Sequence, residues 1–201
     1  MFFNMTASYL FNPSIVNFDT LPHMSILESK TIFTGRIITL NQEKVRLPNN
    51  SVDDLEIIYH PGGAAIIAVN DKNEVCLLRQ YRHAMKDWVW EIPAGILEKD
   101  DGSNLQRAKN ELQEESGCIA SQWQELGFIQ SSPGVFTEQV YLYLATGLTI
   151  GEQQLEHGEV LEVHWVSYSE ALRQVYDGVI NDAKTCVALF RAAKILNLYV
   201  A

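Results

Sequence analysis

Three glutamates, Glu111, Glu114 and Glu115, fall within the five-residue run ELQEE. In an α-helix the spacings i, i+3 and i+4 bring side chains to one side of the cylinder. Carboxylates gathered in this way repel one another, and a hard divalent cation with oxygen ligands relieves the repulsion. A Glu-rich run is also the common composition of a solvated helical face, so the run alone decides nothing. Its flanks are less ordinary. Residues 89–92 read as a short buried strand and Pro93-Ala94-Gly95 as a turn; a polar loop follows, and Gly117 stands where a helix stops. A strand and a turn that aim a carboxylate helix at one point suit a metal-dependent phosphate site.

The rest of the chain must position that helix. Residues 31–40 (TIFTGRIITL) read as one β-branched strand, with 43–47 able to pair with it and 54–60 as a further strand after Pro48-Asn49-Asn50. This opening reads as an antiparallel meander. Residues 64–69 and 74–79 form low-polarity runs around a turn at Asn70-Asp71-Lys72-Asn73, as strands buried on both faces do. Residues 123–131, 139–146 and 160–166 read as strands. Ser167 with Glu170 forms a capping box for a helix that Gly178 ends, and Asp182 caps a last helix over 183–198. Strands in the middle with helices after strand pairs imply α/β layering around a mixed sheet. The boundaries expected are an extension over 1–24, a β subdomain over 25–60 and the main domain over 61–201.

Composition limits the partners. The chain has 201 residues and a net charge of −10, with a pI near 4.9 and mean hydropathy of −0.06. So acidic a chain argues against nucleic acid as the partner, and a phosphate ligand would need local positive charge. No apolar run reaches the roughly 18 residues of a membrane span, and the first residues lack a basic leader segment. Cys76, Cys118 and Cys186 are too scattered for a zinc site; Cys76 and Cys186, in apolar segments, read as packed thiols, which suits a reducing cytoplasm.

Gly95, its loop and Glu111-Leu112-Gln113-Glu114-Glu115-Ser116-Gly117-Cys118 resemble the signature of the Nudix hydrolases. Two departures stand out. Asn110 occupies the place of the family's Arg, which braces the glutamates, so that Arg107 or Lys109 would have to substitute or the cluster be held less rigidly. The spacing from Gly95 to Glu111 is one residue longer than the pattern, which puts an insertion at Asp100-Asp101-Gly102. Asp101, and less well Glu98, then match the family's isolated loop Glu.

Leu78-Arg79-Gln80-Tyr81-Arg82-His83, Glu91-Ile92-Pro93-Ala94-Gly95, Ser132-Pro133-Gly134 and Asp182-Ala183-Lys184-Thr185 resemble the ADP-ribose pyrophosphatase branch of that family. The resemblance implies a Nudix-type α/β/α sandwich with a mixed sheet, preceded by a small antiparallel meander that forms a homodimer. It implies hydrolysis of the diphosphate of ADP-ribose or a related nucleotide sugar to AMP and a sugar phosphate. The cofactor implied is Mg²⁺ or Mn²⁺, held by Glu111, Glu114, Glu115 and the carbonyl of Ala94. Arg79, Arg82, Glu91 and Pro133 would meet the substrate, and Glu138, on a mobile loop, would act as general base. Trp88 and Trp90 alternate, so one should enter the core and the other meet adenine or a partner subunit. Two alternatives stay open: a nucleotide-binding sensor that no longer turns its ligand over, and an enzyme for another nucleoside diphosphate derivative.

Overall fold

The computed structural model describes residues 25–98, 100–155 and 157–198; the expected extension over 1–24 lies outside them. Three antiparallel strands come first: β1 (Ser25–Thr34), β2 (Thr39–Arg46) and β3 (Val52–Tyr59). The single strand expected over 31–40 is two strands. Gly35-Arg36-Ile37 turns the chain, closed by Gly35 N–H to the Ile38 carbonyl at 2.8 Å, and Phe33 then faces Leu40 across the ladder. The β-branched residues on both sides of the turn hide it from a reading by propensity.

The layered domain begins at β4 (Gly63–Ala68), every residue of which is buried. Its side chains alternate between two cores, as the period of a strand dictates. Ala65 and Ile67 enter one cluster, and Ala64, Ile66 and Ala68 the other. β5 (Glu74–Arg82) repeats the pattern, with Val75 and Leu77 on one side and Cys76 and Leu78 on the other. The turn between β4 and β5 is set by the Asn70 side chain, whose Oδ1 accepts from Lys72 N at 2.9 Å and Glu74 N at 3.0 Å.

After β6 (Asp87–Glu91), residues read as a plain turn form a short strand, β7 (Ala94–Ile96), antiparallel to β4. The carboxylate helix α1 (Asn104–Ser116) follows, capped by Ser103 and stopped by Gly117 in the left-handed conformation at φ 71°. The long strands β8 (Cys118–Gln130) and β9 (Gln139–Ile150) pair antiparallel, β9 runs parallel to β4, and β10 (Leu161–Ser167) returns to β5. Helices α2 (Tyr168–Tyr176) and α3 (Ala183–Leu196) complete the chain.

Two sheets result, β7-β4-β9-β8 and β10-β5-β6, linked by a bridge between Val69 and Val75. α1 contributes Ala108 and Leu112 to the cluster on one face, and α2 and α3 fill the cluster on the other. The expected α/β/α layering with a mixed sheet is therefore present. The meander stands apart from it: all ten residues of β1 are exposed. It is tied to the rest where β3 meets the loop after Pro133, with Ile58 N to the Val135 carbonyl at 2.7 Å and Thr137 N to the Ile58 carbonyl at 3.0 Å.

Candidate active site

β5, β6, β7 and the two helix ends α1 and α3 converge on the Pro93-Ala94-Gly95 segment. Glu115, on the last turn of α1, is 2% exposed, and its Oε2 accepts the Ala94 N–H at 2.8 Å. Glu111 lies one turn earlier against Gly95. A Cβ at Gly95 would sit 1.5 Å from Glu111 Oε1, so only glycine leaves room for the carboxylate. Burial first, and then the negative charge of Glu111, push the Glu115 carboxyl up to about 8.

The missing family Arg is replaced within the helix. Arg107 lies four residues before Glu111 and pairs with its carboxylate. Burial alone would lower the guanidinium's pKa, but the charges of Glu111 and Asp101 raise it. Asp101, in the insertion, is 3.8 Å from Arg107 and accepts the Glu98 N–H at 2.6 Å. Asn110 turns elsewhere, accepting from the Gln106 amide at 2.9 Å.

On the far side of the Pro-Ala-Gly segment sits Glu91, 3% exposed. Arg82 grips it with two bonds, Nε to Oε1 at 2.7 Å and Nη2 to Oε2 at 2.8 Å. Lys184 adds a third from Nζ at 2.5 Å and also reaches Asp182 at 3.0 Å. Burial would raise the Glu91 carboxyl; the Arg82 hydrogen bonds and the charges of Lys184 and Arg82 outweigh it and hold the group below the usual carboxylate range. The start of α3 is locked to the same segment, because Thr185 Oγ1 accepts the buried Ile92 N–H at 3.0 Å while bonding to the Asp182 cap at 2.5 Å.

Two hollows flank the segment. A groove of about 370 Å³ is lined by Glu111, Glu115, Glu159, Gln80 and Arg107, with Arg36 from the meander's turn. A second hollow of about 320 Å³ is lined by His60, Glu138, Asp182 and Lys184. Both share Arg82 and residues 94–96.

The expected site residues divide accordingly. Glu111, Glu115, Ala94 and Arg82 meet in the groove. Glu114 is half-buried and lies outside its lining. Glu91 is behind Arg82. Glu138 is in the second hollow, 3.4 Å from His60 Nδ1. That nitrogen already accepts the Gly62 N–H at 3.0 Å, so it has no proton to offer and the contact is not an ion pair. Pro133 is exposed in its turn. Arg79 points away from both hollows and stacks 5.5 Å over Trp88, against whose edge Tyr81 also packs. Trp90 packs against the core and meets His164 edge-on at 4.9 Å, leaving Trp88 outward. Glu159, Arg36 and Lys184 had no role in the sequence reading. Lys184 belongs to the Asp182-Ala183-Lys184-Thr185 segment that carries the resemblance, whereas Glu159 and Arg36 sit in turns whose aim only the folded chain reveals.

Glu111 and Glu115 bring two buried carboxylates together beside the Ala94-Gly95 turn, a setting of hard oxygens that suits a divalent ion. Among the described residues no three Asp, Glu, His or Cys side chains already converge as a ligand set. An ion here would therefore take Glu111, Glu115, the Ala94 carbonyl and several waters, the habit of Mg²⁺.

A family model described as NUDIX domain matches residues 59–187. The ADP-ribose pyrophosphatase of Bacillus subtilis (strain 168) is 36% identical over 173 residues, covering 83% of this chain and 93% of that protein. The ADP-ribose pyrophosphatase of Mycobacterium tuberculosis (strain ATCC 25618 / H37Rv) is 36% identical over 156 residues, 77% of this chain and 75% of the other. A crystal structure of an ADP compounds hydrolase superposes with a TM-score of 0.77 at 20% identity, over 89% of this chain and 96% of that one, a likeness of fold. The glycine-cradled glutamates of α1 thus sit in the frame that the NUDIX domain builds, and the chain belongs to that family.

Proposed function

We propose that the protein hydrolyses the diphosphate bond of ADP-ribose or a related nucleotide sugar, giving AMP and a sugar phosphate, with Mg²⁺ or Mn²⁺ as cofactor. One observation carries this reading: the carboxylates of Glu111 and Glu115 meet Arg82 beside the Ala94-Gly95 turn, and Lys184 lines the hollow that shares Arg82 and the turn with their groove. The likeness to two bacterial ADP-ribose pyrophosphatases supports the substrate class.

When bound, the divalent ion would neutralise phosphate oxygens and make a coordinated water more acidic. The chain's own residues do the rest. Glu111 and Glu115 would hold the ion; Arg107 fixes Glu111 and the Ala94 N–H fixes Glu115. Arg82, anchored by Glu91, presents the remaining edge of its guanidinium to the diphosphate without losing its orientation. Glu159 in the groove and Glu138 in the second hollow are the two acceptors for the water's proton, and Glu159 is the better placed because it shares the lining of Glu115.

The sensor alternative rests on the loss of the family's Arg at position 110. Arg107 supplies the brace in its place, which favours turnover. The protein is read as a homodimer closed over the meander, since Ile26, Leu27, Ile32 and Phe33 of β1 are each more than two-fifths exposed. Three free thiols accord with a reducing cytoplasm.

The test is product analysis. The protein is incubated with Mg²⁺ and, separately, ADP-ribose, ADP-glucose, GDP-mannose, NADH and nucleoside triphosphates, and the products are identified by chromatography. AMP and ribose 5-phosphate are expected from ADP-ribose. Binding without products, or turnover of triphosphates alone, overturns the reading.

A further inference from the structure

The last turn of α1 carries no basic residue, so its free carbonyls need donors from elsewhere. The connection from β9 to β10 brings them. Gln154 N–H donates to the Glu114 carbonyl at 2.8 Å, and Gly151 N–H to the Gly117 carbonyl at 2.6 Å. Between them the side-chain Nε2 of Gln153 donates to the Glu115 carbonyl at 2.5 Å. The two segments run so close that a Cβ at Gly117 would stand 3.0 Å from the Gly151 carbonyl oxygen and 3.1 Å from Gln153 N. Residues 151–154 therefore strap the end of the carboxylate helix.

The same connection delivers Glu159 to the groove, beside Glu111 and Glu115. Its far end is tied as well, because the Val160 carbonyl accepts the Tyr81 N–H of β5 at 3.0 Å. Glu159 thus lies between two anchors, one on α1 and one on β5. The Gly151 and Gln154 bonds come from backbone, which any residue supplies. The Gln153 bond alone depends on the kind of side chain. Gln153 is otherwise exposed and lines neither hollow, so packing gives no reason for an amide there. Shortening the free span of a loop narrows the volume its side chains search. That narrowing counts for a group that must come within hydrogen-bond reach of one water.

We propose that Gln153 is a positioning residue: by tying the loop to the Glu115 carbonyl it holds Glu159 in the carboxylate groove, where Glu159 accepts the proton of the attacking water. The inference rests on the hydrolytic reading above and on the part given there to Glu159.

The test pairs Gln153→Met, which removes the amide at nearly constant length, with Gln153→Lys, which keeps a donor suited to the negative end of a helix. With saturating Mg²⁺ and ADP-ribose, Gln153→Met should lower kcat about fivefold, while KM and Mn²⁺ affinity each move by less than about twofold. Gln153→Lys should recover most of that loss. Both should melt within about 4 °C of the parent, since the residue is exposed. The decisive measurement is a double-mutant cycle. Glu159→Gln alone should lower kcat about a hundredfold, and adding Gln153→Met should cost less than about twofold more, because the positioned group is gone. An undiminished loss in that background overturns the proposal, as does a fall in Mn²⁺ affinity that matches the fall in kcat; Gln153 would then serve α1 itself. Parental kcat in Gln153→Met or in Glu159→Gln overturns it too, as does a lysine variant no faster than the methionine one. A parent protein inert toward every nucleotide sugar defeats the hydrolytic reading itself, and this inference with it; an active parent with any of these results defeats this inference alone.

Discussion

Glu91 and Glu115 flank the same Pro-Ala-Gly segment and are almost equally buried, at 3% and 2% exposure. Their surroundings drive them in opposite directions. Arg82 and Lys184 meet Glu91 and hold its carboxyl low; Glu115 has one backbone N–H, a neighbouring carboxylate and a carboxyl pushed up to about 8. Burial alone therefore does not mark a working carboxylate. A buried acid that the fold has already paired is a structural part, and one left short of positive charge awaits a cation from outside.

Replacing each acid by its amide sharpens the contrast. Glu115→Gln should lower kcat/KM by at least about a hundredfold, because it removes one of the proposed ligands of the ion. The metal-free variant should nevertheless be no less stable than the parent in urea. Glu114→Gln, outside the groove lining, should cost far less activity; equal losses at the two positions would break the distinction between them. Glu91→Gln should behave in the opposite way to Glu115→Gln. It leaves Arg82 and Lys184 without their shared anion, and unfolding free energy should drop by about 3 kcal/mol, at the low end for a broken buried pair because Arg82 is 41% exposed.

The pH dependence of stability separates the same two sites. Glu115 is raised from 4.5 in the unfolded chain to about 8 in the fold. Between those values the folded protein binds the extra proton, so stability is fully present below 4.5 and is lost as pH rises through about 8. Glu91 is lowered, so its contribution is present above 4.5 and lost as pH falls below it. Thermal melting of metal-free protein should thus decline from pH 5 to pH 9, by roughly 2–4 kcal/mol of stability, and Glu115→Gln should flatten the slope. A slope that survives this substitution would show that another group titrates.

Much of the layering could be read from residues 64–69 and 74–79, because strands buried on both faces leave continuous apolar runs. The α1 carboxylates were legible for a similar reason: a fixed helical period and a Gly stop leave few alternatives. What escaped depends on long-range placement. The Gly35-Arg36-Ile37 turn was hidden inside a β-branched run, and Arg36 reaches the groove only because β3 docks on the loop at residues 135–137. Arg79 and Arg82 have the same chemistry but lie three residues apart on β5, and so on opposite faces: one stacks outward on Trp88 and the other meets Glu91. Sequence gives the guanidinium; the partner across the sheet decides its use.

Position 110 offers the finest test of how the fold compensates. The family's Arg is absent there, and Arg107 reaches Glu111 from one helical turn earlier. Arg107→Met keeps the aliphatic stem and removes the charge, so Glu111 loses its brace while α1 retains its packing. Activity should fall about tenfold, and affinity for Mn²⁺, read by electron paramagnetic resonance, should weaken by a similar factor. Adding Asn110→Arg to that variant puts a guanidinium back at the family position, and part of the loss should return. Asn110→Arg alone should change little, because Glu111 is already held. If the single Arg107→Met variant keeps full activity, the brace lies elsewhere, and the Arg107–Glu111 pair serves only the packing of α1.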